Sequence, residues 1–392
     1  MSYQALARRW RPRQFADVVG QESTVKALTA ALTQNRVHHA FLFAGTRGVG
    51  KTTLARLLAK ALNCDRGVSA EPCSKCDACI AVDEGRYVDL IEVDAASRTR
   101  VDDTRELLDN VQYAPTMGRF KVYLIDEVHM LSGHSFNALL KTLEEPPAHV
   151  KFLLATTDPQ KLPPTILSRC LQFNLRALQV IEIVSQMEKV LKSESVEFDM
   201  DALNTLARAA AGSMRDGLSL LDQAIAFGSG TVAGGAIRDM LGMIETRQVE
   251  QLIRALAEAD VAALLDVVEA LRERALDYRL VLDDLLVSLH DICLYQIAPN
   301  AVDAKALDAG FIAELSELMT PEDVQLFYQI GLLGKADLPL APDPATGFEM
   351  ALLRMLLFRP DASNGEEDTS EESETLPVKR SPVRVAPDKK RS

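Results

Sequence analysis

The chain has 392 residues, 47% of them hydrophobic, and a formal net charge of −13. That length exceeds one ordinary core and predicts two or three domains, while the negative balance excludes a protein that coats nucleic acid indiscriminately. No apolar run reaches bilayer length and the first residues carry no basic-then-apolar leader, so a soluble, cytoplasmic protein with no membrane partner is expected.

The charge is uneven. Residues 1–60 hold ten Lys or Arg against Asp17 and Glu22, a local balance of +8, which leaves −21 for the remainder. A basic front suits local handling of polyanions; the acidic back reads as a solvated helical face. Aromatic residues are only 5% of the chain while Leu and Ala are abundant, which favours helix once the first 175 residues are passed.

In chain order, the first short apolar run, Ala40 to Ala44, leads into Gly45-Thr46-Arg47-Gly48-Val49-Gly50-Lys51-Thr52, a full phosphate-loop pattern, with a helix expected from about Thr53. The chemistry asks for these residue types. Glycines let backbone N–H groups turn inward on phosphates, and the helix N-terminus adds positive potential. Lys51 reaches the β and γ phosphates of ATP, and Thr52 ligates magnesium.

Cys64, Cys73, Cys76 and Cys79 follow within sixteen residues, in a loop-like stretch that contains Gly67, Pro72, Ser74 and Lys75. Four thiolates at such spacing suit a closed tetrahedral structural zinc site; four buried free thiols are the alternative. Cys170 and Cys293 stand apart.

The second apolar run, Leu90 to Val93, precedes Arg98, Arg100 and Arg105, with a helix starting near Asp102. The three arginines either neutralise DNA phosphates or pair with Asp94, Asp102 and Asp103. The third run, Val122 to Ile125, delivers Asp126 and Glu127 at its C-terminal end, where ligands bind in open α/β sheets. Asp126 is placed to hold magnesium through water and Glu127 to polarise an attacking water. The fourth run, Phe152 to Ala155, ends in Thr156 and Thr157. Thr157 is the candidate γ-phosphate sensor, and Thr156 the candidate turn cap.

Arg169, in Ser168-Arg169-Cys170, precedes the fifth run, Leu171 to Leu175. Five apolar runs between amphipathic stretches predict a buried parallel sheet. Beyond residue 178 apolar residues recur at helical spacing, as in Val249, Leu252, Ile253 and Leu256, then Val261, Leu264, Leu265, Val268 and Leu271. Arg215 lies in this helical half, in Gly212-Ser213-Met214-Arg215-Asp216. Single arginines are commonly solvated or salt-bridged, so the residues alone give Arg169 and Arg215 no role. Glycines at 228, 230, 234 and 235 separate 179–242 from 243–360. From Asp361 the composition cannot offset the entropy of ordering, and 361–392 is expected to be a disordered tail.

The ordered motifs resemble the AAA+ ATPases, and within them the gamma/tau subunits of the bacterial DNA polymerase III clamp loader. The likeness runs from Tyr3 to about Arg359. It rests on Trp10-Arg11-Pro12 with Val18-Val19-Gly20-Gln21, the phosphate loop, the four-cysteine insertion, Asp126-Glu127-Val128-His129, Ser168-Arg169-Cys170 and the Gly-Ser-Met-Arg segment.

The resemblance implies an α/β AAA+ P-loop ATPase domain with a parallel sheet over 1–178, a three-helix lid over 179–242 and an all-α collar over 243–360. It implies assembly with delta and delta-prime subunits and further copies of the chain. ATP binding would open a ring-shaped sliding clamp, and primer–template DNA would trigger hydrolysis and release. It assigns Arg169 to a neighbour's ATP in trans, Arg215 to ATP in cis, and Arg11, Pro12, Val18 and Val19 to the nucleotide lining. It also turns Arg98, Arg100 and Arg105 toward DNA. Isolated chains are then expected to hydrolyse ATP poorly. Tau forms continue into further domains, so a chain ending at Ser392 fits a gamma-like short form or a truncated tau alike. Two rivals are weaker. A nucleotide-bound scaffold has no need of Lys51, Thr52, Asp126, Glu127 and Arg169 together, and a motor translocating along DNA has no need of the helical collar.

Overall fold

The computed structural model describes residues 4–96, 110–242, 246–273, 277–299 and 309–359. Arg98, Arg100, Arg105, the helix expected near Asp102 and the segment 361–392 lie outside the described residues.

Five parallel strands form one sheet in the order β2-β3-β4-β1-β5: β1 (Ala40–Ala44), β2 (Leu90–Asp94), β3 (Lys121–Asp126), β4 (Val150–Thr156) and β5 (Leu171–Asn174). Side chains alternate across a strand, and here both faces are covered, which is why these segments read as continuous apolar runs. Phe41, Phe43, Val122, Leu124 and Leu153 point into one core with Leu54, Leu57 and Leu58 of helix α3 (Lys51–Asn63). Leu42, Tyr123, Ile125, Phe152 and Leu154 point into the other, with Phe136, Leu139 and Leu143 of the helix Gly133–Glu144. The last strand departs from expectation. β5 is an edge strand, bonded only to β1, and Leu171, Gln172 and Asn174 are exposed.

Beyond the sheet lie three helices, Val180–Glu194, Met200–Ala209 and Met214–Phe227, around a core that includes Ile183, Met187, Leu203, Leu206, Leu218 and Leu221. A shorter fourth helix, Gly234–Leu241, adds Ile237 to the same core, and a two-strand parallel pair, Glu197–Phe198 with Thr231–Val232, closes it. Strand-like runs therefore do not vanish after residue 178; these are too short to show a period.

The N-terminal helix α1 (Leu6–Arg9), which precedes helix α2 (Glu22–Thr33), also belongs here. Leu6 is buried in this helical core, its backbone N–H donates to Asp222 at 2.7 Å, and Trp10 Nε1 donates to Glu194 at 3.0 Å. The first residues, expected within the sheet domain, are thus packed on the lid by contacts across 216 and 184 residues of sequence.

The chain divides into two compact units, 1–243 and 244–392. The second is helical in its described residues, with Leu252, Ile253, Leu256, Leu282, Leu285, Leu289, Phe327 and Phe348 at its core. The expected stripe of the helix Val261–Glu273 is narrower than its apolar residues suggest: Leu264, Val268 and Leu271 are buried, while Val261 and Leu265 are exposed. Near its end Arg359 donates to buried Asp323 at 2.9 Å and to the Ala257 carbonyl at 2.9 Å, tying the last described residues to two helices.

Candidate active site

The phosphate loop leaves β1 at Gly45 and re-enters regular structure at Lys51, two residues earlier than the sequence suggests, with Gly50 as the helix N-cap at φ 106°. Gly48, at φ 78°, answers a second constraint. A Cβ there would overlap the Ser213 hydroxyl and crowd Arg215. The Ser213 hydroxyl caps its own helix by accepting the Asp216 N–H at 3.1 Å, and the Arg215 N–H lies 3.4 Å from the Gly48 carbonyl. So Gly48 lets the lid's Gly-Ser-Met-Arg segment rest on the loop, and Arg215 reaches the loop from its own chain.

Lys51 is buried. Its Nζ donates to the Gly45 carbonyl at 2.8 Å and the Thr46 carbonyl at 2.9 Å. Burial pulls the ammonium below the ordinary lysine range, with Glu127 and Asp126 pulling it back up. Thr52 Oγ1 donates to Asp126 Oδ2 at 2.7 Å, across 74 residues of sequence, while Asp126 Oδ1 accepts the Glu127 N–H at 3.0 Å. Glu127 Oε2 accepts the Thr157 hydroxyl at 2.8 Å and its N–H at 3.2 Å. Lys51, Thr52, Asp126, Glu127 and Thr157 thus meet at the C-terminal ends of β1, β3 and β4.

Thr156 is fully buried and caps the turn by accepting the Asp158 N–H at 3.1 Å, and it also lies against His129. Arg11 sits half-buried near this end. Burial and the charge of Arg56 push its guanidinium below the ordinary arginine range, Glu92 opposes them, and Arg215 adds a further downward push. Arg56 itself pairs with Glu92 at 2.5 Å. Pro12, Val18 and Val19 are half-buried in the segment that follows, and Val18 packs on the α3 side of the sheet. Gln21, next along, exchanges hydrogen bonds with the Arg176 backbone at 2.8 and 3.3 Å.

Arg169 is not in this cluster. Its guanidinium pairs with Glu144 at 2.8 Å and donates to the Thr165 carbonyl at 2.8 Å, and its side chain is 34% exposed. The Arg56–Glu92 pair, the Ser213 contact and Glu144 carried no sequence signal, because each depends on segments far apart in the chain.

The far end of α3 meets the four cysteines. Cys64 is the helix C-cap, and the four Sγ atoms lie within 4.8 Å of one another, Cys73 and Cys79 at 3.9 Å. Tetrahedral zinc–sulfur bonds of about 2.3 Å place sulfurs roughly 3.8 Å apart, so this donor set fits a zinc-sized ion. Backbone N–H groups already point at sulfur: Cys73 to Cys64, Cys76 to Cys73 and Cys79 to Cys76, at 3.4 to 3.5 Å. The N–H groups of Lys75 and Cys76 help draw the Cys73 thiol down to about 6, whereas burial pushes Cys79 up. One expectation is corrected: the stretch is not all loop. Cys76 caps the helix α4 (Asp77–Glu84) and Cys79 lies in its first turn, which fixes the spacing of the last pair. Arg119 donates to the Cys64 and Asp65 carbonyls at 2.5 and 3.1 Å, satisfying acceptors left at the α3 C-terminus. Cys170 stands apart, its thiol pushed up to about 11 by burial.

A parallel sheet with a phosphate loop after β1, an acidic pair at the end of β3 and a helical lid resting on the loop defines the P-loop ATPase fold. Family models match along the chain: DNA polymerase III, delta subunit, over residues 20–179; the ATPase lid domain of the DNA polymerase III clamp loader subunit over 182–230; and domain III of DNA polymerase III subunits gamma and tau over 232–364. DNA polymerase III subunit tau of Escherichia coli is 57% identical over 362 residues, 92% of this chain and 56% of that one. The tau subunit of Salmonella typhimurium is 55% identical over 95% of this chain and 58% of its own. The gamma subunit of Buchnera aphidicola is 44% identical over 91% of this chain and 97% of that protein. The chain therefore belongs to the gamma/tau family of DNA polymerase III clamp-loader subunits. It spans less than three fifths of the length of the two tau relatives. A solved Thermotoga maritima RuvB branch migration motor overlaps 64% of this chain at 19% identity and a TM-score of 0.45. No helix among the described residues is long and apolar enough to cross a membrane.

Proposed function

We propose that this chain is an ATP-hydrolysing motor subunit of a clamp loader. Residues 1–178 supply the ATPase domain with its zinc insertion, their first helix packing on the lid, 179–242 the lid itself and 243–360 the oligomerising collar. The observation that carries the reading is the Thr52–Asp126 hydrogen bond at the head of α3, which puts a magnesium-ligating hydroxyl and a carboxylate beside Lys51 and Glu127. Thr52 and Asp126 would hold magnesium, which supplies charge neutralisation on the β and γ phosphates. Backbone N–H groups from Gly45 to Thr52 cradle the phosphates, Lys51 adds a cation, Glu127 polarises water, and Thr157 reads the γ phosphate. Arg11, Pro12, Val18 and Val19 line the rest of the nucleotide, and Arg215 reaches it in cis.

Arg169 serves a neighbour's site in trans, so hydrolysis requires assembly with delta and delta-prime subunits and further copies of the chain in the cytoplasm. ATP binding opens a sliding clamp; primer–template DNA, met by Arg98, Arg100 and Arg105, triggers hydrolysis and release. The test is ATPase turnover of the chain alone against turnover with its clamp, partner subunits and primed DNA. Strong stimulation is expected; equal rates in both would sink the motor reading.

The cysteine cluster is proposed to hold one structural zinc, because four thiolates leave no open position for catalysis. Metal analysis of protein purified without chelator should find one zinc per chain, and Cys79→Ser should lower both the zinc content and the thermal midpoint. A stoichiometry far below one would defeat the assignment. Structural zinc contributes about 10–16 kcal/mol in small zinc-dependent folds. In this larger core only part of that is expected to appear as stability.

A further inference from the structure

We propose that His129 is a positioning residue for Glu127: it ties the Glu127 carboxylate to the end of β4 and so sets where that carboxylate stands when water is activated. The proposal rests on the reading of Glu127 as the water-polarising group. Glu127 adopts φ 48°, ψ 45°, a left-handed conformation that strains a residue with a side chain and persists only where its surroundings demand it. The consequence is local. The chain turns back through the short helix Val128–Met130, and the His129 imidazole comes to lie beside the carboxylate of the residue two before it.

The contacts make a bridge. His129 Nδ1 is 3.0 Å from Thr156 Oγ1 and 3.4 Å from Glu127 Oε2, and its side chain is 9% exposed. Thr156 is wholly buried at the last position of β4, and its hydroxyl oxygen already accepts the Asp158 N–H. A ring nitrogen facing an acceptor hydroxyl and a carboxylate is best matched when it carries the proton, since a lone pair there would face the negative charge. Glu127 Oε2 therefore accepts two hydrogen bonds from Thr157 and lies against the Nδ1 edge of the His129 imidazole, which is itself bonded to Thr156 at the end of β4. Thr157 is at the surface and His129 is not, so the imidazole is the arm that water does not compete for. A histidine that merely fills the turn would show only in stability.

The test compares ATP affinity and single-turnover hydrolysis in the assembled complex, with clamp and primed DNA, for wild type, His129→Leu, His129→Asn and Glu127→Gln. His129→Leu should leave ATP affinity within about twofold and slow hydrolysis about 10- to 100-fold, the cost of misplacing a catalytic group by a fraction of an ångström to an ångström. His129→Asn, whose amide nitrogen falls near the Nδ1 position, should recover hydrolysis to within about threefold of wild type. Thr156→Val, isosteric and buried, is the second arm. It should slow hydrolysis in the same direction, and combined with His129→Leu it should add less than the product of the two.

A wild-type rate in His129→Leu overturns the proposal, as does an Asn variant as slow as the Leu variant, or multiplicative effects of the pair. Glu127→Gln separates the levels. Wild-type turnover there would remove the role of Glu127 itself, whereas a dead Gln variant beside an unimpaired Leu variant removes only His129.

Discussion

Lys51→Ala is expected to abolish useful ATP binding, weakening affinity by at least about 100-fold, because charge-assisted bonds to phosphate are among the stronger polar contacts a site can make. Lys51 opens α3 with its ammonium buried among loop carbonyls, where burial draws down its basicity and the carboxylates of Glu127 and Asp126 hold it up. Alanine removes the cation and keeps the helix, since Ala is the best helix former and Gly50 still caps the turn. The measurement is equilibrium nucleotide binding, with circular dichroism to show that the fold survives. Affinity within about threefold of wild type in a folded variant would contradict the assignment of the loop.

Arg169→Ala should behave in the opposite way. ATP binding should stay within about twofold of wild type, and turnover stimulated by DNA and clamp should fall about 10³-fold or more, the scale of removing an arginine finger. The guanidinium pairs with Glu144 at 2.8 Å with both groups partly exposed. An exposed ion pair of this kind contributes about 1 kcal/mol at most, so a neighbour's phosphates can draw the arginine away at little cost. Among the described residues, its hydrogen-bond partners are Thr165, Ser168 and Glu144, outside the phosphate-loop cluster of its own chain, as a role at a neighbouring chain's site would require. Full stimulated turnover by the alanine variant, measured in purified complexes, would remove the trans role.

The sequence by itself determined what is local or periodic. Gly45 to Thr52 could be read because a phosphate loop is eight consecutive residues. β1, β3 and β4 could be read because strands covered on both faces cannot hide their apolar runs, and the cysteines because chance rarely places four thiols so close. β5 read as buried since a short apolar run does not reveal whether its strand is central or at an edge. Of the five residues read as an apolar stripe in the helix Val261–Glu273, likewise, only Leu264, Val268 and Leu271, spaced for one face, are buried.

What only the tertiary structure decided is which distant residues meet. Thr52 finds Asp126, Thr157 finds Glu127, and Ser213 rests on Gly48, each joining segments far apart in the chain. α1 was assigned to the sheet domain by its place in the chain and is held on the lid by Asp222 and Glu194. His129 stood in plain view beside Glu127, and its relation to Thr156 was still invisible. β4 must lie against β3 before a residue at position 156 can touch one at 129. Spacing along a chain encodes elements, whereas the neighbours of a catalytic group are set by how those elements pack.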